Sequence, residues 1–147
     1  MLRLHKSRQG QAFTLIEITI VVVIIGFIAT LGSLAVMNRL KSAKLRIAAS
    51  WVEGTGTTAL DLYYTDIGMY PTTDQGLKAL VKKPTSSPVP EGWSKPYLKK
   101  LDKDPWSNPY NYKYPSENGM DFDLWSSGPD GQSNTADDIT NWGIDDE

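Results

Sequence analysis

The chain contains no cysteine, and its single histidine, His5, lies ahead of a long apolar run. The first absence excludes a disulfide framework and any thiolate metal site. The second matters if the residues before that run are a removable leader. Ser-His-Asp and Cys-His nucleophiles, His-ligated zinc and histidine general bases then all drop out. An enzyme built on what is left has only carboxylates, lysine and tyrosine to work with. There is no Gly-rich phosphate loop and no organised basic, aromatic surface, so nucleic acid is not an expected partner. Basic residues are missing from residues 121–147, which hold eight acids, and acids are missing from the first 12, which hold Arg3, Lys6 and Arg8. The formal charge of -2 therefore hides a polarised chain. At 147 residues, one compact domain with an appendage is expected rather than two cores.

Residues 18–37 read ITIVVVIIGFIATLGSLAVM, 20 positions without a charge. As an α-helix at about 1.5 Å per residue, such a run spans roughly 30 Å, the hydrocarbon thickness of a bilayer. A single span in lipid must be helical, because every backbone group has to be satisfied within it. A buried helix of a soluble protein is disfavoured by the lack of a polar stripe. A secretory signal peptide is disfavoured by the length of the run and by the absence of a small-x-small cleavage site after it. Basic residues on both sides leave the orientation open by charge counting. Glu17 sits at the edge of the run, where a carboxylate costs on the order of 3 kcal/mol unless it is paired or reaches the headgroups.

Beyond the run, apolar residues recur at roughly helical spacing, which predicts one long helix from near Phe13 to about residue 64. Its weak points are Gly32-Ser33 and Gly54-Thr55-Gly56. Thr72 with Gln75 resembles a capping box and predicts a short helix over about 73–82, followed by a proline-rich loop to which no structure is assigned. Tyr110, Tyr112 and Tyr114 alternate with polar residues as a strand does, Asn118-Gly119 is a hairpin turn, and Met120, Phe122 and Leu124 form the returning strand. The hairpin thus covers about 110–126. The five Trp and seven Tyr are read as packing residues rather than a carbohydrate platform, with Trp51 and Trp106 joining sheet to helix. Lys99, Lys100 and Lys103 form a small basic patch that is either solvated or faces a neighbour's acidic C-terminal region. In the acidic loop of residues 126–147, Asp130, Asp137 and Asp138 surround Gly128 and Gly131 with no basic residue near. Three such carboxylates repel one another, so the loop is either solvated or closed on a cation. With oxygen donors only, that cation would be Ca²⁺ rather than zinc, although the spacing is not that of an EF-hand.

The stretch QAFTLIE, residues 11–17, resembles the cleavage and methylation signal of type IV prepilins and type II secretion pseudopilins. YPTTDQGLKAL (residues 70–80), KDPWSNPY (103–110) and SGPDG (127–131) are similar to the G-type major pseudopilin family of type II secretion. The absence of a C-terminal disulfide separates the chain from adhesive type IV pilins. The resemblance implies an α+β, type IV pilin-like fold: a long N-terminal transmembrane and assembly helix packed against a small antiparallel sheet with a C-terminal metal-binding loop. It implies a leader of residues 1–12, cut by a prepilin peptidase between Ala12 and Phe13, with methylation of Phe13. Ala12 replaces the usual Gly before the cut. Residues 13–37 would be the transmembrane and assembly half of the helix, and 38–147 a periplasmic domain. Family members commonly carry a proline shortly after the apolar run; none occurs here before residue 71, and Gly32 would take its place as the loose point.

The same resemblance gives Glu17 a partner, the N-terminal amine of an adjacent subunit, so that a costly charge becomes a registration device. It implies a structural Ca²⁺ held by Asp130, Asp137 and Asp138 with loop carbonyls including Ser127. The expected protein is a non-enzymatic homopolymer through its N-terminal helix. Its partners would be minor pseudopilins, the inner-membrane assembly platform, prepilin peptidase and membrane lipid. It would be a single-pass inner-membrane protein, N-terminus cytoplasmic, assembled into a periplasmic pseudopilus that drives export of folded proteins. A type IV pilin for adhesion or motility is the first alternative, and a membrane-anchored carboxylate hydrolase the one from another class.

Overall fold

The computed structural model describes residues 13–143, without the side chains of residues 31–35. The leader expected over residues 1–12, Ala12 with it, and the last four residues of the acidic loop lie outside the described residues. Two compact units divide between Leu40 and Lys41.

In the first unit, helix α1 (Leu15–Ala49) starts at Thr14, whose hydroxyl and carbonyl both accept from the Glu17 amide, at 3.3 and 3.1 Å. The β-branched residues are helical, and their side chains are exposed, Val21 at 47% and Ile28 at 63%. Thr19 and Thr30 donate their hydroxyls to the carbonyls of Leu15 and Gly26, 2.8 Å each. Polar groups on an apolar helix are thereby satisfied without water. Among the described residues no helix is long and apolar enough to cross a membrane; the apolar run of residues 18–37 includes 31–35, Gly32-Ser33 among them, whose side chains lie outside the described ones.

In the second unit α1 ends in a π-helical segment (Ser50–Gly56), which passes into α2 (Thr57–Ile67). The Gly54-Thr55-Gly56 stretch, expected as a weak point, is a wider turn: Thr57 Oγ1 donates 2.7 Å to the Val52 carbonyl, five residues back. Gly56 is required there because a Cβ would lie 2.7 Å from Trp51 Cζ3 and 2.8 Å from Leu124 Cδ2. Gly68, at φ 84°, ends α2 by donating to the Tyr64 carbonyl.

Three short antiparallel strands follow in the order β1 (Asn111–Lys113), β2 (Asp123–Ser126), β3 (Ile139–Thr140). Tyr112 faces Leu124, and Trp125 faces Thr140. The core is Val52, Leu60, Tyr63, Leu80 and Leu124, with Tyr110, Tyr112 and Phe122 laid over it. Each fully buried leucine stabilises by about 2 kcal/mol. Trp51 stacks on Tyr110 at 3.8 Å, which joins the π segment to the start of β1.

Four expectations need correction. The helix predicted over 73–82 is a single 3-10 turn, Leu77–Leu80. Thr72 and Gln75 do exchange bonds, backbone to side chain in both directions, but Gly76 at φ 56° and ψ -167° turns the chain out of the helix. The Gln75 amide then donates to the carbonyls of Ser86 and Pro88, which ties down the proline-rich loop. The hairpin does not turn tightly at Asn118-Gly119. Its strands stop at Lys113 and restart at Asp123, because the buried Asp123 carboxylate accepts from Ser116 Oγ and the Glu117 amide and holds the chain in a wider loop. Met120 is accordingly exposed. Trp106 is half-exposed, with the Lys44 ammonium 6.0 Å from its ring, so it does not join sheet to helix as Trp51 does. Finally, β3 forms within the acidic loop, where no strand was expected.

Candidate functional site

Two regions hold the residues singled out above. At the N-terminal end, Phe13 and Glu17 are exposed. Glu17 lies in the first turn of α1 three residues after the capping Thr14, where a carboxylate is favoured by the partial positive charge of the free amides. FTLIE thus contains a T-x-x-E helix start, a local signal that the sequence reading passed over.

The acidic loop begins at β2. Ser126 is fully buried, and its hydroxyl donates 2.6 Å to Asp104. Asp104, 4% exposed, also accepts from the Trp106 and Asn108 amides at 3.0 and 2.8 Å, which folds the DPWSNP turn against the base of the loop. Gly128, at φ 58°, has no room for a side chain: a Cβ would stand 2.2 Å from the Asp137 carbonyl oxygen. That contact closes the loop, and with it the chain brings Asp130, Asp137 and Asp138 together.

Their common point is the hydroxyl of Thr135. Its Oγ1 lies 2.8 Å from Asp137 Oδ1, 3.4 Å from Asp138 Oδ1 and 3.5 Å from Asp130 Oδ1, and 3.0 Å from the Gln132 carbonyl. One proton cannot serve four acceptors, so excess negative charge is gathered at this point. Backbone amides offset part of it: Asp130 N donates to Asp137 Oδ2, Gln132 N to Asp130 Oδ1 and Asn134 N to Asp138 Oδ2. The Thr135 hydroxyl, followed by the Asp130 amide, holds the Asp137 carboxyl below its ordinary range. The ion pairs among the described residues, Lys100–Asp102 and Lys113–Glu117, leave these three carboxylates without a cationic partner. Ser127 stands apart. Its carbonyl accepts from Gly131 N at 3.1 Å, and its hydroxyl bonds Asn111 and Ser133. Among the described residues no group of three or more His, Asp or Glu is arranged to hold a metal ion.

The sequence reading missed Asp104 and Asp123, the two carboxylates buried among the described residues, and Thr135. Asp104 had a local signal, a D-P-W-S-N turn in which an Asp side chain accepts amides two and four residues on; Thr135 had none.

A family model described as type II secretion system (T2SS), protein G matches residues 35–142. The type II secretion system core protein G of Pseudomonas aeruginosa is 50% identical over 141 residues, covering 93% of this chain and 98% of that one. That of Escherichia coli K12 is 44% identical over 142 residues, with 96% and 97% covered. Among solved structures, the major pseudopilin from the type 2 secretion system of enterohaemorrhagic Escherichia coli superposes with a TM-score of 0.67 at 38% identity, covering 76% of this chain and 94% of that one. With a matching model over most of its length and relatives aligned almost end to end, the chain belongs to the type II secretion system protein G family.

Proposed function

We propose that this chain is the major structural subunit of a type II secretion pseudopilus, polymerising through its N-terminal helix to drive export of folded proteins across the outer membrane. The observation that carries this reading is the uncovered apolar surface of α1, from Leu15 at 89% exposed through Phe27 at 68%. Such a surface requires lipid before assembly and neighbouring helices after it. Residues 18–37 supply the single inner-membrane span, with the N-terminus cytoplasmic and the domain from residue 38 periplasmic. A prepilin peptidase cuts between Ala12 and Phe13 and methylates Phe13. The new amine then lies one residue before the Thr14 cap, where the helix dipole opposes a positive charge. Glu17 of an adjacent copy offsets it, and both charges are relieved of their desolvation cost only in the correct register. Minor pseudopilins and the inner-membrane assembly platform are the partners of this process, and the role is mechanical rather than enzymatic.

We further propose that the acidic loop holds a structural Ca²⁺, with Asp130, Asp137 and Asp138 as its carboxylates and the Ser127 carbonyl, through its second lone pair, as a neutral donor. In charge and donor type these residues suit a hard, oxygen-seeking ion. The ion supplies neutralisation of three carboxylates that one hydroxyl cannot satisfy. Thr135 must turn its Oγ1 away from the centre for them to converge, and Gly128 keeps the loop closed against the Asp137 backbone.

Deletion of the gene tests the functional reading. Proteins normally secreted should accumulate in the periplasm while their synthesis continues. Unchanged secretion contradicts it, and surface filaments with secretion intact would mark the chain as a type IV pilin.

A further inference from the structure

On the second unit, at the end of the sheet away from the acidic loop's β3, lies a groove of about 520 Å³. The stacked rings of Trp51 and Tyr110 form its floor, and Ile47, 59% exposed, forms an apolar wall. Arg46 and Lys103 stand on its rim, and Lys44, over the Trp106 ring, continues the same cationic edge. One acid, Asp102, is also on the rim, and Lys100 engages it at 2.8 Å. Neither Arg46 nor Lys103 forms an ion pair among the described residues. The groove therefore presents an apolar seat beside two cations that form no ion pair among the described residues, with its rim carboxylate Asp102 already engaged by Lys100. Its chemical complement is a short peptide with one apolar residue followed by acids.

Residues 144–147 of this chain read Ile-Asp-Asp-Glu. We propose that residues 144–147 of one copy occupy this groove on a second copy, with Ile144 against Ile47 and the Trp51–Tyr110 floor and the acids against Arg46, Lys103 and Lys44. One argument favours a second copy over the chain's own segment. Gly143 follows β3, two strands across the sheet from β1, beside which Tyr110 lies. Crossing two inter-strand spacings takes about 10 Å, and Ile144 is one residue, at most about 3.6 Å of extended chain, beyond Gly143, so it does not reach the groove of its own chain. The two patches are also different surfaces on one chain. Repeated head to tail, a contact between unlike patches is heterologous and propagates along a filament. The rim pairs are exposed, so their contribution weakens with ionic strength.

The inference rests on the polymer reading and specifies one of its lateral contacts. Because the chain lacks cysteine, introduced thiols report on one contact only. Full-length chains carrying Lys103→Cys with an affinity tag, and untagged chains carrying Asp146→Cys, are produced together in the native cells. Sheared filaments are then oxidised mildly. The expected result is a mixed tagged and untagged disulfide dimer. It should be lost when Arg46→Glu is added to the tagged chain and recovered when Asp145→Lys is added to the untagged one. Filaments that contain both chains but give no mixed dimer would overturn the inference. An internal disulfide in a chain bearing both cysteines, without mixed dimers, would overturn it too, by showing that the segment folds back on its own groove. Failure of the unmodified chain to form filaments at all would instead overturn the polymer reading.

Discussion

Replacing Asp104 with alanine removes the carboxylate that joins the DPWSNP turn to β2. Three donors lose their acceptor: the amides of Trp106 and Asn108 and the hydroxyl of Ser126, the last fully buried. A buried donor left unsatisfied costs about 1–3 kcal/mol. Trp106 and Asn108 are half-buried and water reaches them, so the lower end applies to their amides, and with the same figure as a minimum for the Ser126 hydroxyl the three together come to at least about 3 kcal/mol. In a unit of roughly a hundred residues 1 kcal/mol moves the melting temperature by about 4 °C, which gives a fall of at least about 12 °C. Asp104→Asn keeps an acceptor for the two amides, and the Ser126 hydroxyl can turn to accept from the new NH₂, so the loss should be about 1 kcal/mol. The assay is thermal unfolding of the detergent-solubilised full chain, followed by tryptophan fluorescence, which Trp51 and Trp106 report. If Asp104→Ala melts within about 0.5 kcal/mol of the unmodified chain, as a surface substitution would, or if Asn costs as much as Ala, the carboxylate is not the anchor of this turn.

Chelation with EGTA should lower the melting temperature, because an ion bound to the folded state at 100 times its Kd adds about 2.7 kcal/mol. Asp137→Ala should melt low and lose its response to calcium, and identical curves with EGTA and millimolar Ca²⁺ would refute the cation reading. Alkaline pH should unfold the domain. Burial first, then the Asp66 hydrogen bond, pushes Tyr97 up to about 12, and burial, then the Asp104 and Asp102 charges, pushes Tyr110 up to about 12. Tyr70 and Tyr112 are raised further, again chiefly by burial. A phenol in the unfolded chain ionises near 10, so the stability is fully present below about pH 10 and is lost as pH rises toward 12. Phenolate absorbance and near-ultraviolet circular dichroism should change together in that window, and tyrosines that all titrate near 10 in a chain that stays folded would contradict the burial described here.

What the sequence made legible was local. Alternation at Tyr110, Tyr112 and Tyr114 located β1 because period two follows from the pleat alone. The Thr72-Gln75 exchange was readable as well, but whether a helix followed depended on Gly76, whose conformation is set by the loop that Gln75 reaches 11 and 13 residues away. The hairpin was misjudged for a similar reason: Asn-Gly favours a tight turn, while the buried Asp123 carboxylate collects partners on the other side of that turn and outweighs it. At the acidic loop the three aspartates stood out by charge. Thr135 did not, because a threonine becomes the centre of three carboxylates only once the chain has closed on Gly128. Asp104 and Ser126 are separated by 22 residues, and no local pattern joins them.

Filament formation by Glu17→Gln is the decisive measurement. Glutamine keeps the helix start with Thr14, since either residue serves in a capping box, but it carries no charge to meet a neighbour's amine. Sheared fractions and membrane fractions from cells producing the unmodified chain and the variant are compared by electron microscopy and immunoblot. The expected result is filaments from the unmodified chain and none from Glu17→Gln, with the variant retained in the inner membrane, where loss of a charge favours partitioning. Filaments from Glu17→Gln in normal number, with secretion intact, would show that assembly through the N-terminal helix does not depend on the carboxylate.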